Sequence, residues 1–169
     1  MSIYKTMAME MARYNKWQNS VLLDLCDTLT EEQLNEDHST FFPSLLATLN
    51  HILHVDTVLM TFIKDGTPPV GFDPTVTLHD TYAAFKDARR ALDDNIQTLM
   101  DRADPVWFDK IFEYHSDDRD GPRRRPRALF INQMFNHQTH HRAQATTILH
   151  RLGLDYGSTD MPYNPLSQS

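Results

Sequence analysis

The chain has 169 residues, of which 40% are hydrophobic and 23% charged, enough to bury one core without disulfides. A net charge of −7 argues against broad binding to nucleic acid or to an anionic membrane. The single cysteine, Cys26, excludes an internal disulfide and fits a reducing compartment. We therefore expect one soluble, cytoplasmic domain over residues 1–169, with no nucleic-acid or membrane partner.

The first predicted helix runs from about Ile3 to Asp27. Lys5 and Arg13 interrupt its apolar residues, so we expect neither a signal peptide nor a membrane span at this end. Residues 28–32 predict a short capped turn, because their threonines can accept hydrogen bonds from the backbone amides that follow.

The second predicted helix begins near Pro43 and runs to about Asp65. Gly66 is typical of a helix end, and the prolines at 68 and 69 forbid continuation. A loop follows. The third predicted helix runs from about Leu78 to Arg102, and Pro105 lies just beyond its end.

Between Pro105 and Pro126 a short aromatic run and the dipeptide Asp120-Gly121 predict a small hairpin or an ordered loop. The fourth predicted helix spans roughly Pro126 to Arg151, and Gly153 suits the position after its end. Helices of about 24 residues are about 36 Å long. We therefore predict an all-α four-helix bundle, with a hairpin or ordered loop before the last helix.

Two histidines of the fourth predicted helix, His137 and His141, are four residues apart, which places them on one face, one turn apart. The face that holds the pair continues through apolar side chains at Phe130, Met134, Ala145, Ile148 and Leu152. His140 instead aligns with the polar residues of this helix. This pattern predicts that both imidazoles of the pair point toward the core.

A third histidine, His51, aligns with apolar residues of the second predicted helix, whereas His54 aligns with polar ones. Three neutral imidazoles suit a divalent metal such as Zn²⁺, Ni²⁺, Co²⁺ or Fe²⁺. A structural zinc site is normally closed by four protein ligands, often cysteines, and Cys26 has no second cysteine beside it. The pattern favours an open site at His51, His137 and His141. Gln138 stands where the HExxH motif of zinc proteases has glutamate, which disfavours that mechanism.

Four segments of the chain resemble the DinB family (DinB/YfiT-like metalloenzymes). Residues 14–19 are similar to its "YNxWxN" signature, residues 49–53 to its "LNHIL" segment, and residues 136–144 to its "NHxxHHRGQ" run. Gly153 with residues 160–162 resembles its tail, and Ala143 stands where the family often has glycine. The resemblance implies a four-helix bundle, commonly a homodimer, with His51, His137 and His141 binding a divalent metal.

The resemblance also implies a range of functions. Some relatives are transferases or isomerases that use low-molecular-weight thiols, and a metal-dependent thiol S-transferase or a hydrolase is our first hypothesis. A non-catalytic metal-binding stress-response protein is the second. A metal-free helical interaction module with histidines in its core is the third and weakest.

Other polar residues have two interpretations each. The arginines at 123, 124, 125 and 127 could bind an anionic substrate, but a solvated loop balanced by nearby aspartates is favoured. Asp56 could support a ligand histidine or form a half-exposed salt bridge. Asn15 or Asn50 could orient a ligand histidine, and Cys26 is expected to be a packing residue.

Overall fold

The structure, a computed structural model, describes residues 3–67, 71–116 and 119–167. Within them, two 3₁₀ turns, at Pro105–Asp109 and Met161–Tyr163, accompany five α-helices and one antiparallel pair of strands. The helices are α1 (Ile3–Cys26), α2 (Glu31–Asn35), α3 (Leu45–Asp65), α4 (Tyr82–Arg102) and α5 (Arg127–Arg151), and the strands are β1 (Ile111–Ser116) and β2 (Arg119–Pro126).

The four long helices form the predicted bundle, in which α1 packs mainly against α4 and α3 mainly against α5. The predicted hairpin is present as β1 and β2, and β2 leads directly into α5. By length and composition α3 could cross a membrane, but 61% of its apolar stretch is buried against the rest of the bundle. Such burial is typical of the core helix of a globular protein.

Two helix starts differ from the prediction. The capped turn is a five-residue helix, α2, whose cap Thr30 and residue Gln33 form reciprocal hydrogen bonds. The third long helix begins at Tyr82, four residues later than predicted, because Thr81 is its cap and accepts a hydrogen bond from the amide of Ala84. The backbone just before Thr81 is held instead by a side chain of α3, as described below.

The end of α3 is fixed by Gly66, which has a positive φ of 77°. A side chain at this position would be strained, and its Cβ would stand 3.1 Å from the ring of Phe112 on β1. Phe112 packs in turn against Phe62 of α3, with ring centroids 5.0 Å apart. The hairpin is thereby anchored to the C-terminal end of α3.

Two apolar clusters make the core, one near Phe85 and Leu149 and the other near Met100 and Phe108. On each long helix, buried polar residues lie between the residues of the two clusters. We call seven of them the polar layer: Asn15, Asn19, Asp56, Arg89, Asp93, Gln138 and Arg142.

Ion pairs and hydrogen bonds of the polar layer connect the helices. Arg89 donates to Asp56 at 2.6 Å and to Asp93 at 2.7 Å. Asn19 donates to Asp93 at 2.9 Å. Arg142 donates to Asn15 at 2.7 Å. The layer therefore links α1 to α4 and α5, and α3 to α4, with two formal charges of each sign.

Candidate metal centre

The three histidines selected by helical phase converge between α3 and α5. Nε2 of His51 lies 3.0 Å from Nε2 of His137, and one ring nitrogen from each of His51, His137 and His141 lies within 4.8 Å of the others. Two metal–nitrogen bonds of about 2.1 Å that meet near a right angle place their nitrogens about 3 Å apart. The donor set could therefore hold one ion, with no large movement of the helices.

These imidazoles lie at the margin of the core and not at its centre. His51 is buried, but His137 and His141 are only half-buried. The deepest positions on this part of α5 belong to Gln138 and Arg142, which are 0% and 4% exposed. The helical periodicity therefore selected the correct histidines of α5, but it predicted that they are more deeply buried than the structure shows. The site is therefore partly exposed to solvent.

Hydrogen bonds at the far nitrogens fix two of the three rings. Nδ1 of His51 lies 2.9 Å from the carbonyl oxygen of Pro74, and Nδ1 of His141 lies 2.8 Å from Oε1 of Gln144. Because both oxygens accept, both rings carry their proton on Nδ1, which leaves each Nε2 with a lone pair; that of His51 faces Nε2 of His137. Metal-binding histidines are normally held in this way.

Burial lowers the pKa of all three histidines. For His137 the pKa falls to about 3, because burial and the neighbouring imidazoles of His141 and His51 both disfavour the charged form. The rings are therefore neutral near pH 7, as metal ligation requires. Nδ1 of His137 is buried and has no hydrogen-bond partner within the described part of the chain.

The group that could hold a metal contains three imidazoles and, among the described residues, no carboxylate or thiolate. Cys26 is fully buried in the apolar cluster near Phe85 and Leu149, and burial raises the pKa of its thiol to about 12. It is therefore a packing residue, as predicted. Three protein ligands leave coordination positions for other molecules, whereas structural zinc sites use four.

Two loops complete the surroundings of the site. Phe42, in the segment before α3, stacks on His51 with ring centroids 4.1 Å apart. The loop between α3 and α4 supplies the carbonyl of Pro74. Asn50 holds that loop, since its side chain accepts from the amide of His79 at 3.0 Å and donates to the carbonyl of the same residue at 3.2 Å.

The histidines that phase set aside lie outside the group. His54 is half-buried and packs against Phe72, with ring centroids 5.1 Å apart. His140 is exposed and touches His141 ring edge to ring face at 4.7 Å. His54 and His140 therefore provide natural controls for any test of the other three histidines.

Several predicted supporting roles are wrong. Asp56 is 0% exposed and pairs with Arg89, so it forms neither a half-exposed salt bridge nor a bond to a ligand histidine. Asn15 hydrogen-bonds to Arg142 and to the carbonyl of Met11. Asn50 acts on the site only through the loop that it holds.

The structure also separates the four arginines. Those at 123–125 lie on β2, whereas Arg127 is buried with its guanidinium 4.0 Å from the ring of Trp107 and 4.9 Å from that of Phe112. Arg127 donates to the carbonyl of Trp107 at 2.7 Å, so it anchors the hairpin. The predicted balance by the aspartates at 117, 118 and 120 concerns side chains that lie outside those the structure describes.

Three contacts of the site were not predicted from sequence. Gln144 had a detectable signal, because a residue three positions after His141 lies next to it on a helix. Phe42 and Pro74 had none, because they reach His51 from loops that carry no periodic pattern.

Comparison with known proteins identifies the family and supports the fold. The sequence model of the DinB family matches residues 1–168, and the chain belongs to the DinB family. The crystal structure of a DinB-like protein from Bacillus cereus ATCC 10987 is similar in fold, with a TM-score of 0.62 and 20% sequence identity over 84% of this chain and 90% of that one. No curated protein matches the sequence significantly.

Proposed function

We propose that His51, His137 and His141 bind one divalent metal ion, Zn²⁺, Ni²⁺ or Fe²⁺, in an open site. The observation that carries this proposal is the convergence of three neutral imidazoles, one buried and two half-buried, of which His51 and His141 are oriented through Nδ1 by Pro74 and Gln144. Family membership supports it independently.

We further propose that the centre serves a metal-dependent thiol S-transferase or a hydrolase. A bound divalent ion would supply Lewis acidity, which makes a coordinated thiol or water more acidic. The chain contributes three uncharged ligands, which do not neutralise the ion, and the two hydrogen-bonded rings hold their lone pairs in fixed directions. Stacked Phe42 covers one face of His51, so access is restricted to the remaining side.

A non-catalytic metal-binding role is the second candidate. One feature favours it: the histidines join α3 to α5, so a bound ion would connect the two helices and stabilise the bundle. A stabilising ion alone does not require vacant coordination positions, and a thiol or water exchanging at the metal would favour catalysis.

The experiment that tests catalysis uses metal-loaded protein with a panel of low-molecular-weight thiols, electrophiles and ester substrates. We expect turnover that rises with metal content, is lost in His137→Ala and is retained in His140→Ala. The two variants differ by three positions on one helix, but only the first alters the converging group. Full metal loading without turnover on any substrate would contradict an enzyme and favour the second candidate.

We also propose a homodimer. Exposed apolar side chains at the start of α1, among them Tyr4 and Met7, lie on the surface with Leu129 of α5, which is 46% exposed. Tyr4 and Leu129 line the same surface cavity together with Phe108. Sedimentation equilibrium would give twice the chain mass, and a monomer at high protein concentration would contradict the proposal.

A further inference from the structure

A chain of aromatic contacts leads from the histidines to the protein surface. Phe42 stacks on His51 at 4.1 Å with 23° between the ring planes, and meets His141 edge-on at 5.6 Å. Phe41 packs edge-on against Phe42 at 4.8 Å. Phe42 is only 7% exposed, whereas Phe41 is 80% exposed. A phenyl ring is therefore presented to solvent two ring contacts from the candidate metal centre.

The segment that carries Phe41 is held by local hydrogen bonds. The amide of His38 donates to the carbonyl of Pro43 at 2.8 Å, and the hydroxyl of Thr40 donates to the carbonyl of Phe42 at 2.5 Å. Ser39 adopts a left-handed backbone conformation, with φ of 56°, that closes the turn. A ring on an ordered turn loses little conformational entropy when it binds a ligand, so Phe41 is preorganised for contact.

The second loop at the site presents a similar ring. Phe72 is 42% exposed and packs against His54, one helical turn from His51 on α3. The same loop supplies the Pro74 carbonyl that orients His51. Both segments that touch His51 thus place a partly exposed phenyl ring beside the site.

The charges near the three histidines do not match a charged substrate. Among the described residues, the hydrogen-bond and ring contacts of the three histidines are made with Phe42, Pro74, Gln144 and other imidazoles, and none of these groups carries a carboxylate, ammonium or guanidinium charge. A substrate carboxylate or phosphate would therefore lack a fixed counter-ion close to the centre. Recognition beside the site must come mainly from apolar and aromatic contact.

From these contacts we propose that Phe41, backed by Phe42, binds an aromatic group of a substrate whose reactive atom binds at the histidine centre. Phe41 is thus a specificity-determining residue. This inference rests on the proposed metal centre, which supplies the attachment point for the reactive end of the molecule. If the inference holds, the preferred substrate has an aromatic group and is not polar along its whole length.

Two metal-binding probes that differ in one group test the inference. Acetohydroxamate and benzohydroxamate carry the same chelating head, and only benzohydroxamate has a phenyl ring. Titration calorimetry on zinc-loaded protein gives the ratio of the two affinities, in wild type and in Phe41→Ala. Val106→Ala is the matched control, because Val106 is 74% exposed and lies in the 3₁₀ turn at Pro105–Asp109.

We expect Phe41→Ala to lower the preference for benzohydroxamate by roughly three- to ten-fold, the range of a single aromatic pair, and to leave acetohydroxamate binding unchanged. Phe41→Leu should lie between wild type and Phe41→Ala, and Val106→Ala should match wild type. The unchanged acetohydroxamate affinity shows that fold and metal are intact in each variant.

The possible failures are distinguishable. An unchanged preference in Phe41→Ala, with both probes bound, would overturn the aromatic contact and leave the metal centre standing. Zinc-loaded protein that binds neither probe would overturn the open site, and protein that takes up no zinc would overturn the metal centre. In either of these cases the inference about Phe41 falls with the proposal on which it rests.

Discussion

Two groups of polar residues in the bundle differ in kind: the histidine centre between α3 and α5, and the polar layer between the two apolar clusters. In the polar layer Asp56 and Arg89 are 0% and 2% exposed, and each meets an opposite charge. In the histidine centre the rings reach the margin, and the nitrogens that face one another belong to the same kind of group. The ion pairs of the polar layer match opposite charges within the protein, whereas the histidine centre gathers ligand nitrogens of one kind.

This difference indicates a structural role for the polar layer and a binding role for the histidine centre. A buried charge that finds its partner inside the protein fixes the register of helices, and removing one partner leaves the other uncompensated. The histidine centre has one imidazole–imidazole contact, between Nε2 of His51 and Nε2 of His137, and no opposite charge among its described ligand groups, and burial lowers the pKa values of its rings. Such a cluster is stabilised when something from outside binds to it. We therefore expect changes in the two places to have opposite signatures.

The largest expected effect is on the polar layer. Arg89→Met leaves Asp56 and Asp93 buried without their cation, so we expect a loss of about 3–5 kcal/mol in the free energy of unfolding. Urea denaturation measures the loss. The metal content per folded molecule should remain that of wild type, because Arg89 belongs to no contact of the histidine centre that the structure describes.

Lys86→Met is the matched control for Arg89→Met. Lys86 lies one turn earlier on α4 and pairs with Asp27 at the surface. Surface pairs contribute less than about 1 kcal/mol, so the midpoint should shift little. Equal losses from the two substitutions would remove the distinction between the layer and an ordinary surface ion pair.

An intermediate effect is expected at Gln144, whose oxygen fixes the ring of His141. Gln144→Leu should weaken metal affinity by about 10- to 100-fold, the usual cost of losing such a partner, with little change in stability. Competition with a chromophoric chelator measures the affinity. Gln144→Glu retains the acceptor and should stay near wild type, as should Gln133→Leu at an exposed position of the same helix.

The smallest expected effect is on the stability of the metal-free protein. His137→Leu removes a buried Nδ1 that has no partner among the described residues, but it also removes the 3.0 Å contact between Nε2 of His137 and Nε2 of His51. The two changes oppose each other, so the unfolding free energy of the metal-free protein should change by less than about 1 kcal/mol. With saturating zinc, wild type should be clearly the more stable, because only wild type gains from binding. Thermal unfolding with and without zinc compares the two, and His140→Leu is the exposed control. A large loss of stability in metal-free His137→Leu would show that the ring serves packing instead.

Sequence patterns predicted the parts of this molecule that follow helical periodicity. The stripe through Phe130 and Ala145 selected His137 and His141 over His140, and the structure brings the selected residues together with His51. Periodicity could also have found the layer on α4, since Arg89 and Asp93 fall on the stripe of Phe85, Ile96 and Met100. Charged residues are usually at the surface, so the sequence alone did not indicate that Arg89 and Asp93 are buried.

The remaining features depend on contacts between distant segments. The late start of α4 follows from the hold of Asn50 on His79, a contact that spans two elements. The stack of Phe42 on His51 depends on a turn whose shape is set by Ser39. Local sequence contains no periodic signal for either contact, so the lining of the site had to come from the structure.

The most direct measurement is the metal content of five single variants, taken by elemental analysis on folded protein without an affinity tag. Replacing any one of His51, His137 and His141 by alanine should abolish stoichiometric metal, whereas His54→Ala and His140→Ala should each retain about one ion per chain. Equal loss in all five, or full retention in any of the first three, would contradict a centre built from those imidazoles.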